Sequence, residues 1–313
     1  MTASPPPGPP TAAPPGSSPT STSTAAPPVA PAPVLEIAGL KKSFPLSGFA
    51  GRRRNVLDDV SFSLGAGEIV ALVGESGSGK STLARIVARL ERADAGALRL
   101  EGADVFRTEP RHASLAYRAR VQMVFQDPFA SLNPAHRVRH HLARPLLVHG
   151  RARPADVGAR VLELLESVGL RPAADFADRH PHALSGGQRQ RVAVARALAA
   201  GPKVIIADEP TSMLDASTRV GVLDLLRRLT SERGIAILLI THDLATARHL
   251  ADRIVVLAGA RVVEQGITAN VFAAPSHPYT RQLLEASRAA RAAPPAAASG
   301  AVAAARLFLG RRD

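Results

Sequence analysis

Chemistry in this chain concentrates in a few short stretches. Residues 74–81 run Gly74-Glu75-Ser76-Gly77-Ser78-Gly79-Lys80-Ser81, with Thr82 next, and meet the pattern G-x-x-x-x-G-K-[ST] at every fixed position. Glycines of such a loop let backbone N–H groups close around phosphate oxygens, and a helix starting there adds its positive dipole end. Lys80 is expected to reach the β- and γ-phosphates of a nucleotide, and the Ser81 hydroxyl to ligate Mg²⁺. Further along, "KVIIADEP" at 203–210 is an apolar run ending in two acids. Asp208 there suits a carboxylate that holds Mg²⁺ directly or through water, and Glu209 a general base acting on the attacking water. The run "IAILLI" ends at Thr241-His242-Asp243, so His242 stands at the carboxyl end of a strand, able to contact the γ-phosphate and the water. Gln126, after the short apolar run in "VQMVFQDP", is a further candidate for Mg²⁺ and water.

Periodicity indicates the elements that must hold these groups. "IVALV" at 69–73 has the length and apolarity of a buried strand, and it runs straight into the glycine loop. Beyond the loop, Leu83, Ile86, Val87 and Leu90 recur at i, i+3, i+4 and i+7, which predicts a helix. Strand, glycine loop and helix is the context that a phosphate cradle needs. The stretch "HALSGGQRQRVAVARAL" at 182–198 poses a different problem. Its adjacent glycines open a second helix, which carries Val192, Ala195 and Leu198 on one side and stops at Gly201-Pro202. A chain with one complete cradle thus carries half of another.

Composition sets the frame. With 313 residues, 46% hydrophobic and 21% charged, the chain can bury a sizeable core in one or two domains. Residues 1–33 hold nearly half of the 26 prolines and no charged side chain, which predicts a disordered tail without the features of a secretory signal. Residues 286–313, rich in Ala and Arg, are expected to form a second loose tail. The absence of cysteine excludes disulfides, thiolate zinc sites and iron–sulfur clusters. No apolar run approaches the roughly 18 residues that span a bilayer, so any membrane role comes through a partner. The net charge of +13 comes from scattered arginines with few aromatics to stack bases, and no nucleic-acid partner is expected.

Taken in order, these motifs resemble one family closely. The glycine loop, Gln126, "LSGGQRQR" at 184–191, "VIIADEP" at 204–210, "SMLD" at 212–215 and His242 follow the order found in ATP-binding subunits of ABC transporters. The resemblance covers about residues 34–285 and implies an α/β fold: a RecA-like P-loop NTPase core with an antiparallel β subdomain, and a helical subdomain inserted after the glutamine loop at about residues 129–195. It also accounts for the second half-cradle. In such proteins two ATPase domains meet head to tail, each ATP lying between the P-loop of one and the signature "LSGGQ" of the other. Ser185, Gly186, Gly187 and Gln188 would then serve a partner's γ-phosphate, and Asp215 would lie in the D-loop across the same interface. Phe44 in "KKSFP" is the candidate for stacking on adenine, with Phe49 as rival and core packing as the plain alternative.

Two stretches narrow the branch. "VQMVFQDPFASLNP" at 121–134 and "HPYTRQLL" at 277–284 resemble ATP-binding subunits of peptide, opine and nickel importers, the former more like the second ATPase of a two-ATPase system. The partners implied are two transmembrane permease subunits, a sister ATP-binding subunit or a second copy, and an extracytoplasmic solute-binding protein. The implied location is peripheral, on the cytoplasmic face of the membrane. ATP and Mg²⁺ are the implied ligands. An exporter subunit, or an ABC ATPase acting on nucleic acid or ribosomes, are the alternatives; one motif set without a heptad run or cysteine speaks against the latter. His140, His141 and His182 are expected to be structural rather than metal ligands.

Overall fold

The computed structural model describes residues 32–46, 52–110 and 112–292, with residues 1, 2, 4 and 8 besides. Nearly all of the expected N-terminal tail, the last part of the C-terminal one and Phe49 lie outside these residues. The elements all belong to the unit Ala32–Asp313.

Strands β1 (Leu35–Pro45) and β2 (Arg53–Leu64) open the fold, and β3 (Ile69–Val73) leads through the glycine loop into α1 (Lys80–Val87). Then come β4 (Ala95–Leu100), β5 (Ala103–Asp104), α2 (Val105–Thr108), α3 (Leu115–Arg120) and β6 (Val121–Val124). A helical segment follows: α4 (Pro128–Ser131), α5 (Val138–Val148), α6 (Val157–Ser167), α7 (Ala173–Asp178) and α8 (Gly186–Ala199). The chain then alternates through β7 (Val204–Asp208), α9 (Ala216–Arg233), β8 (Ala236–Ile240), α10 (Leu244–Leu250) and β9 (Arg253–Ala258). It closes with β10 (Arg261–Ile267), α11 (Thr268–Ala273) and α12 (Pro278–Ala292).

Two sheets result, an antiparallel one of order β2-β1-β4-β5 and a six-stranded one of order β10-β9-β3-β8-β7-β6. In the larger sheet every neighbouring pair is parallel except β9 with the edge strand β10. A parallel sheet covered on both faces needs strands that are apolar on both sides, which is why β3, β7 and β8 read as unbroken apolar runs. Their side chains alternate between two cores. Ile69, Ala71, Ile205, Ile237 and Leu239 face α8, α9 and α10, while Val70, Leu72, Ile206 and Leu238 face α1 and the antiparallel sheet. Each fully buried branched side chain there contributes about 1.5–3 kcal/mol.

Register brings the chemistry to one edge. Leu72 and Asp208 both stand opposite Ile240, and Val124 stands opposite Ala207. The glycine loop, the acid pair, His242 and Gln126 therefore leave neighbouring strands at their carboxyl ends, where open α/β sheets place their ligands.

The structure departs from the sequence reading at two boundaries. Helix α1 ends at Val87, Arg89 turns the chain at φ 59°, and Leu90, expected on the buried stripe, is 64% exposed. Helix α12 continues to Ala292, so residues 286–292, expected in the loose tail, are helical, and Leu284 in the same helix is buried. Pro278 opens that helix, a position where its missing N–H costs nothing.

Candidate active site

The glycine loop is pressed between strands. A Cβ on Gly74 (φ 152°) would lie 2.1 Å from the Leu257 carbonyl oxygen of β9, and one on Gly79 (φ 110°) 2.4 Å from the Val56 carbonyl oxygen of β2. Glycine is required at both ends of the loop for packing inside this chain, before any ligand is considered. Lys80, 7% exposed, donates through Nζ to Gly74 O (2.8 Å), Glu75 O (2.7 Å) and Ser78 Oγ (3.4 Å). Burial holds its ammonium below the usual lysine value, opposed by the carboxylates of Glu209, Asp208 and Glu75. The loop thus presents a partly desolvated cation, the kind of group that gains most from an arriving phosphate.

Strand β7 delivers two carboxylates with different fates. Burial pushes the Asp208 carboxyl up, Glu209 adds to the shift, and Lys80 and Arg85 pull against it. Glu209 turns the other way at φ 45°, the left-handed region that a non-glycine residue occupies at an energetic cost, and its N–H donates to Ile240 O (2.9 Å). The turn lets its side chain leave the path of Asp208. Glu209 Oε2 accepts from Gln126 Nε2 (2.9 Å), and Oε1 pairs with His242 Nδ1 at 2.7 Å. One carboxylate is therefore gripped by the loops that follow β6 and β8. The sequence directs Gln126 to Mg²⁺ and water and His242 to the γ-phosphate and the water; the structure brings both onto Glu209.

The donors suit Mg²⁺. Ser81 offers a hydroxyl, Asp208 a carboxylate and Gln126, with its amide nitrogen on Glu209, a carbonyl oxygen. These are hard oxygen ligands of the type that ion prefers, and a buried carboxylate pushed toward its protonated form is one that a cation would stabilise.

The capping groups of the signature turn are neutral. Ser185 caps α8: its Oγ accepts from Gln188 N (3.3 Å), while Gln188 Oε1 accepts from Ser185 N (3.0 Å), a reciprocal capping box. This arrangement uses Ser185 Oγ as an acceptor and leaves its O–H, with the first-turn N–H groups of Gly186 and Gly187, for an outside acceptor. Among the described residues no hydrogen bond joins 185–188 to 74–82. Gly187 has an in-chain duty that sequence reasoning missed: a Cβ there would fall 1.9 Å from Thr218 Cγ2. Thr218 in turn donates through N (2.9 Å) and Oγ1 (2.8 Å) to Asp215, the cap of α9. Hydrogen bonds from Ser217 and Thr218 hold the Asp215 carboxyl well below the usual range. Signature turn and D-loop thus form one packed unit, with Met213 56% exposed beside it.

Phe44, next to last in β1, is 36% exposed, with Lys42 Nζ 4.9 Å over its ring, and it belongs to neither buried core. His141 turns its Nε2 to Asn133 O (3.1 Å), His140 stacks on His136 at 4.0 Å and His182 on His180 at 5.4 Å. Tyr279, which the sequence marks only through the stretch "HPYTRQLL", reaches the glycine loop with its hydroxyl, accepting from Glu75 N at 3.1 Å.

A glycine loop around a buried lysine, an acid pair and a carboxylate flanked by Gln126 and His242, all at one sheet edge, are the arrangement of a P-loop ATPase. Residues 57–212 match the ABC transporter family. The chain is 42% identical over 258 residues to the dipeptide transport ATP-binding protein DppF of Haemophilus influenzae, a match spanning 82% of this chain and 78% of that protein. It is 42% identical over 255 residues to the putative oligopeptide transport ATP-binding protein YkfD of Bacillus subtilis, spanning 80% and 75%. Among solved structures, the dimeric ATP-binding cassette MJ0796, in a post-hydrolysis state bound to ADP and Pi, superposes with a TM-score of 0.66 at 30% identity, covering 75% of this chain and 98% of that one. The chain belongs to the ABC-transporter family, among its ATP-hydrolysing cassettes, and the RecA-like α/β expectation is met. Among the described residues no helix is long and apolar enough to cross a membrane.

Proposed function

We propose that this chain is the ATP-binding subunit that energises uptake of di- or oligopeptides, or of a related small solute such as nickel. The carrying observation is the 42% identity to dipeptide and oligopeptide transport ATP-binding proteins, combined with an intact Glu209 flanked by His242 and Gln126. Its partners in this reading are two transmembrane permease subunits, a sister cassette or a second copy, and an extracytoplasmic solute-binding protein. It sits peripherally on the cytoplasmic face of the membrane.

The chemistry follows from the side chains. The loop N–H groups and Lys80 bind the β- and γ-phosphates, Lys80 exchanging its backbone carbonyls for phosphate oxygens. Ser81, Asp208 and Gln126 would hold Mg²⁺, which supplies neutralisation of phosphate charge. Glu209 takes a proton from the attacking water through the carboxylate oxygen that Gln126 releases, while His242 Nδ1 on the other oxygen holds the carboxylate in position. Phe44 stacks on the adenine ring. Ser185 O–H and the amides of Gly186 and Gly187 close on the γ-phosphate of a partner's nucleotide, with Gln188 holding the turn and Asp215 beside it. In this division residues 34–285 form the cassette, with the helical insertion facing the permeases.

Glu209→Gln trapped with ATP in cell membranes tests the assembly. Co-purification of two permeases and a cassette in mild detergent is the expected result; ribosomes or nucleic acid in their place would overturn the importer reading.

A further inference from the structure

The C-terminal helix touches the nucleotide loop, and none of the cassette's motifs accounts for the contact. Glu75 N–H donates to the Tyr279 hydroxyl at 3.1 Å, across 204 residues of sequence. The carbonyl of the same peptide unit, Gly74 O, accepts from Lys80 Nζ at 2.8 Å. One peptide plane is therefore gripped from both sides, and each hydrogen bond polarises the amide and strengthens the other. This plane also follows Gly74, whose φ of 152° leaves its orientation free of the restraint that a side chain would impose.

The hydroxyl is itself held in place. Glu264 of β10 accepts from Ser276 N (2.7 Å), Ser276 Oγ (2.9 Å) and His277 N (3.1 Å), fastening the start of α12. His277 Nδ1 accepts from Tyr279 N at 3.1 Å, and the Tyr279 ring packs against the core that includes Leu284. Burial raises the phenol's pKa, so the hydroxyl stays neutral across the working range.

We infer that Tyr279 is a positioning residue for the nucleotide loop: its hydroxyl orients the Gly74–Glu75 peptide and, through it, the Lys80 ammonium. Without the hydroxyl the peptide keeps only its contact with Lys80 and loses that one when Lys80 turns to phosphate, so nucleotide binding must then order the loop as well as fill it. The catalytic pair of Glu209 and His242 is untouched by the change. Affinity falls, and the chemical step does not.

The inference rests on residues 74–82 being the nucleotide loop, and its test separates the two. Binding of a fluorescent ATP analogue with Mg²⁺ is measured on the full chain as wild type, Tyr279→Phe, Glu264→Gln, their double variant and Lys80→Ala. Tyr279→Phe, which keeps the ring, is expected to weaken binding about three- to tenfold. In the assembled transporter, KM for ATP rises by the same factor while kcat stays within about twofold. Glu264→Gln weakens binding in the same direction, and the double variant is no worse than the more affected single one, because both act through one contact. Unchanged affinity in Tyr279→Phe, a fall in kcat instead of a rise in KM, or additive losses in the double variant would each overturn the role. Wild-type binding by Lys80→Ala would sink the loop assignment itself.

Discussion

The glycine loop and the signature turn both start a helix with glycines, yet they are built for different duties. Around the loop stand a buried ammonium and the carboxylates of Asp208 and Glu209, each group perturbing its neighbours. The signature turn offers a serine hydroxyl and two backbone amides held by a glutamine, all neutral, while its charged neighbours are engaged elsewhere, Arg189 with Leu184 O and Asp215 with Ser217 and Thr218. A neutral donor set can close over a phosphate, but it has no carboxylate to recruit Mg²⁺ and no base to move a proton. The glycines themselves do not make the distinction. Gly74 and Gly79 are demanded by the carbonyls of Leu257 and Val56, and Gly187 by the Thr218 methyl. Packing requires glycine in both places; the charged groups around it are what set them apart.

Breaking the charged half is expected to have the largest effect. Glu209→Gln should slow phosphate release by about 10²–10⁴ while ATP binding persists, as read by parallel turnover and nucleotide-binding assays. Turnover within tenfold of the parent would place the base elsewhere.

The neutral half is more sensitive to shape. Gly187→Ala drives a methyl group into Thr218 Cγ2, a clash that overpacking data put at about 1–3 kcal/mol, visible as a lowered Tm. Adding Thr218→Ser removes that methyl and should restore both Tm and ATPase activity, since the residue 187 N–H is retained. Restored Tm without activity would mean that the partner's nucleotide also needs the bare glycine.

Phe44→Ala sharpens the comparison on the charged side. Loss of the stacking face should weaken ATP binding by roughly tenfold without lowering Tm, because the ring is exposed. An unchanged affinity would move the stacking role to another side chain.

The smallest effect carries a sign. Burial, then Glu209, raises the Asp208 pKa in the folded chain above its ordinary 3.8. A carboxyl raised in this way contributes stability that is complete below its unfolded value and lost as pH rises through the folded one. At neutral pH Asp208 therefore weakens the fold, and Asp208→Asn should raise Tm by about 2 °C near pH 7.5, with the gain vanishing toward pH 4, while Mg²⁺-dependent hydrolysis is lost. A lowered Tm at neutral pH would contradict the burial argument.

Much of this site was legible along the chain. The loop at 74–82, the acids after β7 and the histidine after β8 each follow an unbroken apolar strand, and a doubly covered parallel sheet leaves that mark wherever it runs. What escaped was of two kinds. The stop of α1 at Val87 and the length of α12 depend on end effects: apolar spacing carried Leu90 one turn too far, and the Ala/Arg-rich composition hid helical residues 286–292. The convergence of Gln126 and His242 on Glu209, the fit of Gly187 against Thr218 and the reach of Tyr279 to Glu75 are meetings of segments distant in sequence.

The division has a physical basis. By itself the sequence determined which groups are candidates for the chemistry, because a phosphate loop, a helix cap and the end of a strand are each complete within about ten residues, where spacing dictates geometry. Only the tertiary structure decided which of those groups touch. Contacts between loops at a sheet edge follow from the strand order β9-β3-β8-β7-β6, and that order is selected by packing two cores against opposite faces of one sheet. No local periodicity encodes it, since the central strands β3, β7 and β8 present much the same apolar run.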